Sequence, residues 1–277
     1  MPLRCIGDVN LYYEIDGPGP ATVALVNGVA MTVKSWQPIR ERLVAGGFRC
    51  LLHDCRGQLR SDKPVGNPYS LELHADDFLR LLDALDLDRV HLVGTSYGAE
   101  IGMVFASSHP ERVETLTLIA AASELDGLMR AAAESWAIAA DCGAAAFVRC
   151  MAPWAYSSDY LARNQTRLKE QEEAMSRLPR DFFAAFNGLV QAFLRLDITH
   201  RLKHIRCPTL VISAELDLIK GPRFGQLICD EIANSELLVI PGAGHAVVLE
   251  QPVLIAERTT RFIDRHRARG ASLRSPG

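Results

Sequence analysis

A serine lies between two glycines at the end of an apolar run, in the segment Gly94-Thr95-Ser96-Tyr97-Gly98. The run before it predicts a strand and the residues after it predict a helix, so the serine stands on a sharp strand-to-helix turn. Such a turn needs a strained backbone angle at the serine and small residues two positions away. It lifts the Ser96 hydroxyl out of the sheet, where it can attack a carbonyl carbon. Taken alone, the pentapeptide also fits an ordinary turn.

A serine hydroxyl is a weak nucleophile at neutral pH, so it needs a base, and the base needs an orienting group. Both residue types follow later predicted strands: Asp217 comes just after the apolar run at 208–213, and His245 ends the loop Pro241-Gly242-Ala243-Gly244-His245. Glu215 follows the same strand as Asp217 and competes with it as the acid. We favour Asp217 because of its position. The order serine, acid, histidine, each after its own strand, predicts a nucleophilic hydrolase.

The elements that must position these residues alternate between strand and helix, which is typical of a mostly parallel sheet flanked by helices. About six strands precede residue 123 and two strand–helix units follow residue 203, whereas residues 123–203 show only helical periodicity. We predict an α/β core domain formed by residues 1–122 and 204–277. Residues 123–203 are predicted to be a helical cap over the carboxyl ends of the strands, where open α/β sheets bind ligands. The alternative is a set of helices packed on the side of the sheet.

Composition narrows the class of protein. The chain has 277 residues, 48% hydrophobic and 23% charged, and a net charge of −3. This balance predicts neither a nucleic-acid nor a membrane partner. We see no signal-peptide pattern and no apolar run long enough to span a bilayer. The seven cysteines are odd in number and lack a C-x-x-C pair, so we expect reduced thiols in a cytoplasmic protein. A homo-oligomer is compatible with the sequence.

Together these segments resemble the α/β-hydrolases, in the cap-bearing branch that includes 3-oxoadipate enol-lactonases, carboxylesterases and cofactor-free haloperoxidases. The resemblance covers about residues 11–263 and includes Asn27-Gly28-Val29, Asp54-Cys55-Arg56-Gly57 and the serine and histidine segments. It implies an eight-stranded, mostly parallel sheet. It also implies that the backbone N–H groups of Val29 and Tyr97 form an oxyanion hole. The family often has His-Gly where this chain has Asn27-Gly28, which leaves the shape of the pocket floor open.

The resemblance and the residues favour a serine hydrolase that cleaves an ester or lactone of a small, partly apolar substrate through an acyl-enzyme. Thioester hydrolysis, C–C bond hydrolysis, perhydrolysis and a ligand-binding receptor on the same fold stay open as alternatives. We predict no metal and no cofactor, because no ligand spacing or phosphate-binding motif occurs. Three cap aromatics, Trp136, Trp154 and Tyr156, are candidates for substrate binding; packing within the cap is the competing interpretation.

Asp54, Arg56 and Glu100 are charged residues outside the predicted set of serine, histidine and acid. Asp54 and Arg56 flank a glycine turn, and we expect an ion pair between them that fixes the loop below the pocket. Glu100 lies four residues after Ser96 on the same helical face. It either lies close to the site and modulates it, or is held by a hydrogen bond deeper in the helix packing.

Overall fold

The structure, a computed structural model, describes residues 2–64, 66 and 69–273, excluding the side chains of 268–273. Eight strands form one sheet in the order β1-β2-β4-β3-β5-β6-β7-β8. They are β1 (Leu3–Cys5), β2 (Asn10–Asp16), β3 (Thr22–Val26), β4 (Arg49–His53), β5 (Val90–Thr95), β6 (Val113–Ile119), β7 (Thr209–Ala214) and β8 (Ser235–Ile240). β2 is antiparallel to both of its neighbours, and β3 to β8 are parallel. This confirms the predicted α/β fold class with an eight-stranded, mostly parallel sheet.

Helices cover both faces of the sheet. On one face lie α1 (Gln37–Ala45) and α11 (Pro252–Leu273), and on the other lie α2 (Leu71–Ala84), α3 (Tyr97–Ser108) and α9 (Pro222–Glu231). Because each face is covered, β3 and β5 are buried along their whole length, as continuous apolar runs predict. Ser70 caps the start of α2, because its Oγ atom accepts a hydrogen bond from Leu73 N at 3.1 Å. The last helix, α11, has 22 residues and ends at Leu273.

Five helices are inserted between β6 and β7. They are α4 (Gly127–Asp141), α5 (Ala144–Ala155), α6 (Ser158–Arg163), α7 (Gln165–Ser176) and α8 (Arg180–Phe193). The two stems of this insertion meet, because Ile198 N donates to Ser123 O at 2.8 Å. Cap residues such as Phe186 and sheet residues such as Leu116 belong to one continuous hydrophobic core. The exact division into core domain and cap stays a prediction.

The parallel strands end at one edge of the sheet, and the candidate site forms there. Ser96 follows β5, Asp217 follows β7, and His245 follows β8 after the short loop 241–244. Since carboxyl ends of parallel strands share an edge, residues far apart in the chain meet in space.

Among the described residues, no helix is long and apolar enough to cross a membrane. A short helix, α10 (Val247–Glu250), begins two residues after His245.

Candidate active site

The structure brings Ser96, His245 and Asp217 into one hydrogen-bonded chain. His245 Nε2 lies 2.9 Å from Ser96 Oγ, and His245 Nδ1 lies 2.8 Å from Asp217 Oδ2. An ionised carboxylate can only accept, so the Nδ1 atom carries the ring proton in this bond. Nε2 is then left with a lone pair for the proton of the Ser96 hydroxyl. This arrangement can activate a serine for attack on a carbonyl carbon.

The turn at 94–98, here called the serine turn, holds its strained shape through close packing. Ser96 has φ 51° and ψ −121°, a backbone conformation that residues with a side chain rarely adopt. A Cβ atom at Gly94 would lie 2.3 Å from Gly98 O, and one at Gly98 would lie 2.3 Å from Val26 O. Both positions therefore exclude any side chain. The backbone packing needs the glycines, which accounts for the spacing seen in the sequence.

Asp217 is fixed by the loop that follows β7. Its Oδ1 atom accepts hydrogen bonds from Ile219 N and Lys220 N, both at 2.8 Å. Burial acts to raise the pKa of Asp217, but the attraction and hydrogen bond of His245, together with the two backbone donors, leave that pKa below its ordinary value. The carboxyl group therefore stays ionised beside the imidazole. Glu215, the competing candidate, instead accepts from Gly242 N at 2.8 Å on the exposed side.

Val29 and Tyr97, the predicted oxyanion donors, line a small cavity beside Ser96. Tyr97 is the first residue of α3, so its N–H lacks an acceptor within the helix and lies at the positive end of the helix dipole. The loop after β3 turns sharply past Val29, since Ala30 has φ 58°. The volume of this cavity is about 20 Å³, enough for about one water-sized group.

Asn27, which departs from the family pattern, supports the pocket floor without entering it. It is fully buried; its Oδ1 accepts from Trp36 Nε1 at 2.7 Å, and its Nδ2 donates to Asp54 Oδ1 at 3.1 Å. Asp54 Oδ2 also accepts from Arg60 N at 3.3 Å. Burial raises the pKa of Asp54 to about 6, more than the backbone N–H groups of Arg60 and Val33 and the charge of Arg60 lower it.

The predicted ion pair between Asp54 and Arg56 is wrong. Arg56 instead donates from Nε and Nη2 to Asp77 on α2, with both distances 2.7 Å, and it also bridges to Asp8. The two-pronged bond to Asp77 suits the planar guanidinium, and the buried arginine needs a charge of opposite sign. Arg56 therefore links the loop after β4 to α2, whereas Asp54 bonds to Asn27.

Glu100 is paired with a lysine that the sequence analysis did not single out. Lys220 Nζ lies 2.7 Å from Glu100 Oε1 and 3.3 Å from Ser96 Oγ, and both side chains are buried. Burial raises the pKa of Glu100, against the opposing pull of Lys220 and of the Ala122 N–H. The sequence signal was a lysine three residues after Asp217, in the otherwise apolar stretch Leu218-Ile219-Lys220. A lysine there could have been placed near the carboxyl end of β7.

A larger cavity of about 140 Å³ opens in front of Ser96 and His245. Its walls come from the loop after β3, from α4, α5 and α7, and from α10, and they are mostly apolar. All three predicted cap aromatics, Trp136, Trp154 and Tyr156, line it. Trp136 also lines the small cavity, and its buried Nε1 has no hydrogen-bond partner among the described residues. The insertion therefore forms the roof of a pocket over the serine turn.

Comparison with known proteins agrees with this architecture. Residues 21–141 match the model of the α/β-hydrolase fold family. RutD from Caulobacter sp. (strain K31), by its name a candidate carbamate hydrolase, is 30% identical over 91% of this chain and 95% of its own length. An enol-lactonase structure from Burkholderia xenovorans LB400 superposes with a TM-score of 0.85 and 25% identity, over 95% of this chain and all of that one.

A second solved structure shows the same fold. It is MGS-M2, an α/β-hydrolase enzyme from a Medee basin deep-sea metagenome library, with a TM-score of 0.89 and 24% identity over 95% of this chain and 97% of that one. The sheet order, the inserted helices and the near full-length match to these proteins lead to one conclusion. The chain belongs to the α/β-hydrolase fold family.

Proposed function

We propose that this protein is a serine hydrolase that cleaves a carboxylic ester or lactone of a small, partly apolar molecule. The observation that carries the proposal is the chain of hydrogen bonds from Ser96 through His245 to Asp217, which opens into a largely apolar pocket. Neither a metal ion nor an organic cofactor has a part in this mechanism. The substrate is a small molecule rather than a macromolecule.

In the proposed mechanism, Ser96 Oγ attacks the carbonyl carbon while its proton passes to His245 Nε2. The carbonyl electron pair moves to oxygen, which the N–H groups of Val29 and Tyr97 stabilise, each worth about 3 kcal/mol. When the tetrahedral intermediate collapses, His245 returns the proton to the leaving alkoxide. Water, deprotonated by His245, then attacks the acyl-enzyme and releases Ser96. In a lactone the leaving alkoxide stays attached to the acyl group, so one hydroxy-acid or oxo-acid results.

The pocket supports a small substrate. Its volume of about 140 Å³ is close to that of an engineered cavity of about 150 Å³ that holds benzene. Trp154, Met151 and Val148 are among the apolar side chains in its wall. The indole N–H of Trp136, which has no partner among the residues that the structure describes, is available to donate to one polar substrate atom. These features favour short acyl groups or single rings.

Carbamate hydrolysis is a second candidate. It is favoured by the name of the Caulobacter relative, which this chain matches over almost the full length of both proteins. The same triad could attack a carbamoyl carbonyl, with an alkoxide or amine as leaving group. The substrate set must therefore include carbamates.

The test is a panel of p-nitrophenyl acetate, butyrate and octanoate, small lactones such as δ-valerolactone, and p-nitrophenyl carbamates, assayed with wild type and Ser96→Ala. The proposal predicts turnover of short esters or lactones that the variant lacks. Turnover of carbamates with no hydrolysis of esters or lactones would reject the ester and lactone proposal in favour of the second candidate. Ester hydrolysis that persists in Ser96→Ala would remove Ser96 as the nucleophile.

A further inference from the structure

Lys220 contacts the proposed nucleophile from the interior of the protein. Its Nζ atom lies 3.3 Å from Ser96 Oγ and 2.7 Å from Glu100 Oε1, and its side chain is 2% exposed. The ammonium also lies over the ring of Phe193, 4.7 Å from its centre. A carboxylate partner supplies the opposite charge that a buried ammonium needs, and the aromatic face adds a cation–π contact.

The direction of the bond between Lys220 and Ser96 follows from its chemistry. A charged lysine has three N–H donors and no acceptor, so the oxygen of Ser96 must accept. The Ser96 hydroxyl proton is then free to point at His245 Nε2, 2.9 Å away. Ser96 Oγ thus accepts from one side and donates to the other, which holds the hydroxyl in the orientation that attack requires.

Resting on the serine hydrolase mechanism above, we propose that Lys220 is a further catalytic residue that stabilises negative charge on Ser96 Oγ, and that Glu100 is the positioning residue that holds it there. Lys220 keeps all its protons. During acylation the Oγ–C bond forms as the hydroxyl proton passes to His245, and Oγ carries part of the released charge. During deacylation the C–Oγ bond breaks and its electron pair returns to Oγ, until His245 gives back the proton.

This role differs from that of an oxyanion hole. The N–H groups of Val29 and Tyr97 act on the carbonyl oxygen of the substrate, whereas Lys220 acts on the oxygen of the enzyme. All three groups line the same small cavity, and the rest of its wall includes apolar side chains of the cap, such as Val190 and Phe193. A low local dielectric strengthens each of these electrostatic interactions.

The charge balance argues against a site for an anionic substrate group. Glu100 already neutralises the ammonium at 2.7 Å, so little net positive charge is left to attract a substrate carboxylate. A purely structural ion pair would also explain the bond between Lys220 and Glu100. It would not explain the approach of Nζ to Ser96 Oγ, and the experiment must separate these two interpretations.

The main variant is the double change Lys220→Met with Glu100→Gln, which removes the pair without leaving a buried charge alone. Lys203→Met, a change at an exposed lysine, controls for the substitution itself. Pre-steady-state kinetics with p-nitrophenyl acetate separate the burst of acylation from the slower deacylation. The proposal predicts a folded protein with little change in KM, in which both rates fall about 10- to 100-fold.

The single variants add a readout that packing alone would not move. Lys220→Met removes the attraction that opposes burial, so the pKa of Glu100 rises further and its carboxyl becomes neutral. The net charge next to His245 is then unchanged, and the acidic limb of the kcat/KM profile should stay at the wild-type position. Glu100→Gln leaves the ammonium alone and moves that limb to lower pH. Asp217, which bonds to His245, and Glu250, whose Oε1 atom lies next to the neighbouring Gly244, are the same in all variants.

The outcomes distinguish the role of Lys220 from the serine hydrolase mechanism on which it rests. Slower acylation and deacylation in the folded double variant, with a shift of the acidic limb to lower pH in Glu100→Gln and no shift in Lys220→Met, support the role of Lys220. If both rates in the double variant stay within about 3-fold of wild type, the role of Lys220 is rejected while the serine mechanism stands. If wild type itself shows no burst and no turnover in the substrate panel, the proposed function fails, and this inference fails with it.

Discussion

Glu215 and Asp217 are separated by one residue, yet their carboxylates bind different parts of the loop that follows β8. Glu215 Oε2 accepts from the backbone N–H of Gly242, whereas Asp217 Oδ2 accepts from the ring of His245. The first bond stabilises the shape of the loop and the second orients the imidazole. Two carboxylates that compete in the sequence therefore have distinct places in the structure.

We expect Asp217→Asn to lower kcat by about 10³- to 10⁴-fold. The Oδ1 atom accepts two backbone N–H groups, so the new amide would keep its oxygen there and direct its NH₂ group at His245. The ring would then have to accept at Nδ1 and carry its proton on Nε2, the wrong tautomer to receive a proton from Ser96. Steady-state assays of Glu215→Gln, the matched control, should show a loss of less than about 10-fold. A larger loss in the control would exchange the two assignments.

Gly98→Ala should destabilise the fold strongly. Its new Cβ would lie 2.3 Å from Val26 O, a backbone atom that cannot move without disrupting β3. Gly102→Ala, on the same helix α3, is the control: its Cβ would meet the flexible end of Leu92 at 3.0 Å. Urea unfolding should show a loss of about 3 kcal/mol or more for Gly98→Ala and a much smaller change for Gly102→Ala. Equal losses would mean that close packing at the serine turn is not what requires glycine.

Asp54→Asn should change how stability depends on pH. The pKa of Asp54 is about 6 in the folded protein, above the ordinary value of 3.8. The folded state therefore binds this proton more tightly than the unfolded state. Stability from the neutral form is complete below pH 3.8 and is lost as the pH rises through 6. The free energy of unfolding of wild type minus that of Asp54→Asn should fall by about 3 kcal/mol from about pH 3 to pH 7.

Chemical unfolding of both proteins across this pH range measures that difference. Titrations of the buried histidines occur in both proteins and cancel in the subtraction. A difference that stays flat with pH would show that Asp54 is ionised throughout, with an ordinary pKa.

The pocket should set the preferred acyl length. Met151→Trp narrows the cavity beside Ser96, and Trp154→Ala widens it. The ratio of kcat/KM for p-nitrophenyl octanoate to that for the acetate should fall about 10-fold in the first variant and rise in the second. Ala145→Trp places the same bulk on the exposed side of α5 and should leave the ratio unchanged. Equal ratios in all three variants would place the acyl group outside this cavity.

Much of the fold could be predicted because the sheet residues carry a strong local signal. The apolar runs at 22–26, before Gly94 and at 208–213 indicate buried parallel strands, and the two glycines around Ser96 indicate a turn with no room for side chains. The resemblance to the α/β-hydrolases then implies the eight-stranded, mostly parallel sheet. Local pattern and fold agree at these positions, so the sequence alone is informative there.

Pairings between charged side chains could not be read in the same way. Arg56 is two residues from Asp54 but bonds to Asp77 and Asp8, 21 and 48 residues away. Lys220 and Glu100 are 120 residues apart and meet only because β5 and β7 end at the same edge of the sheet. Long side chains choose partners by direction and burial in the folded protein, and neither is encoded in sequence spacing.

Ser96 is proposed to be the nucleophile of an acyl-transfer mechanism, and covalent labelling tests this role directly. The direct measurement is treatment with a fluorophosphonate, followed by mass spectrometry of the intact protein and of its peptides. The mechanism predicts one adduct per chain, located on Ser96. The adduct should be absent from Ser96→Ala, and its rate of formation should be strongly lowered in His245→Ala. An unlabelled wild-type protein, or an adduct on another residue that persists in Ser96→Ala, would contradict it.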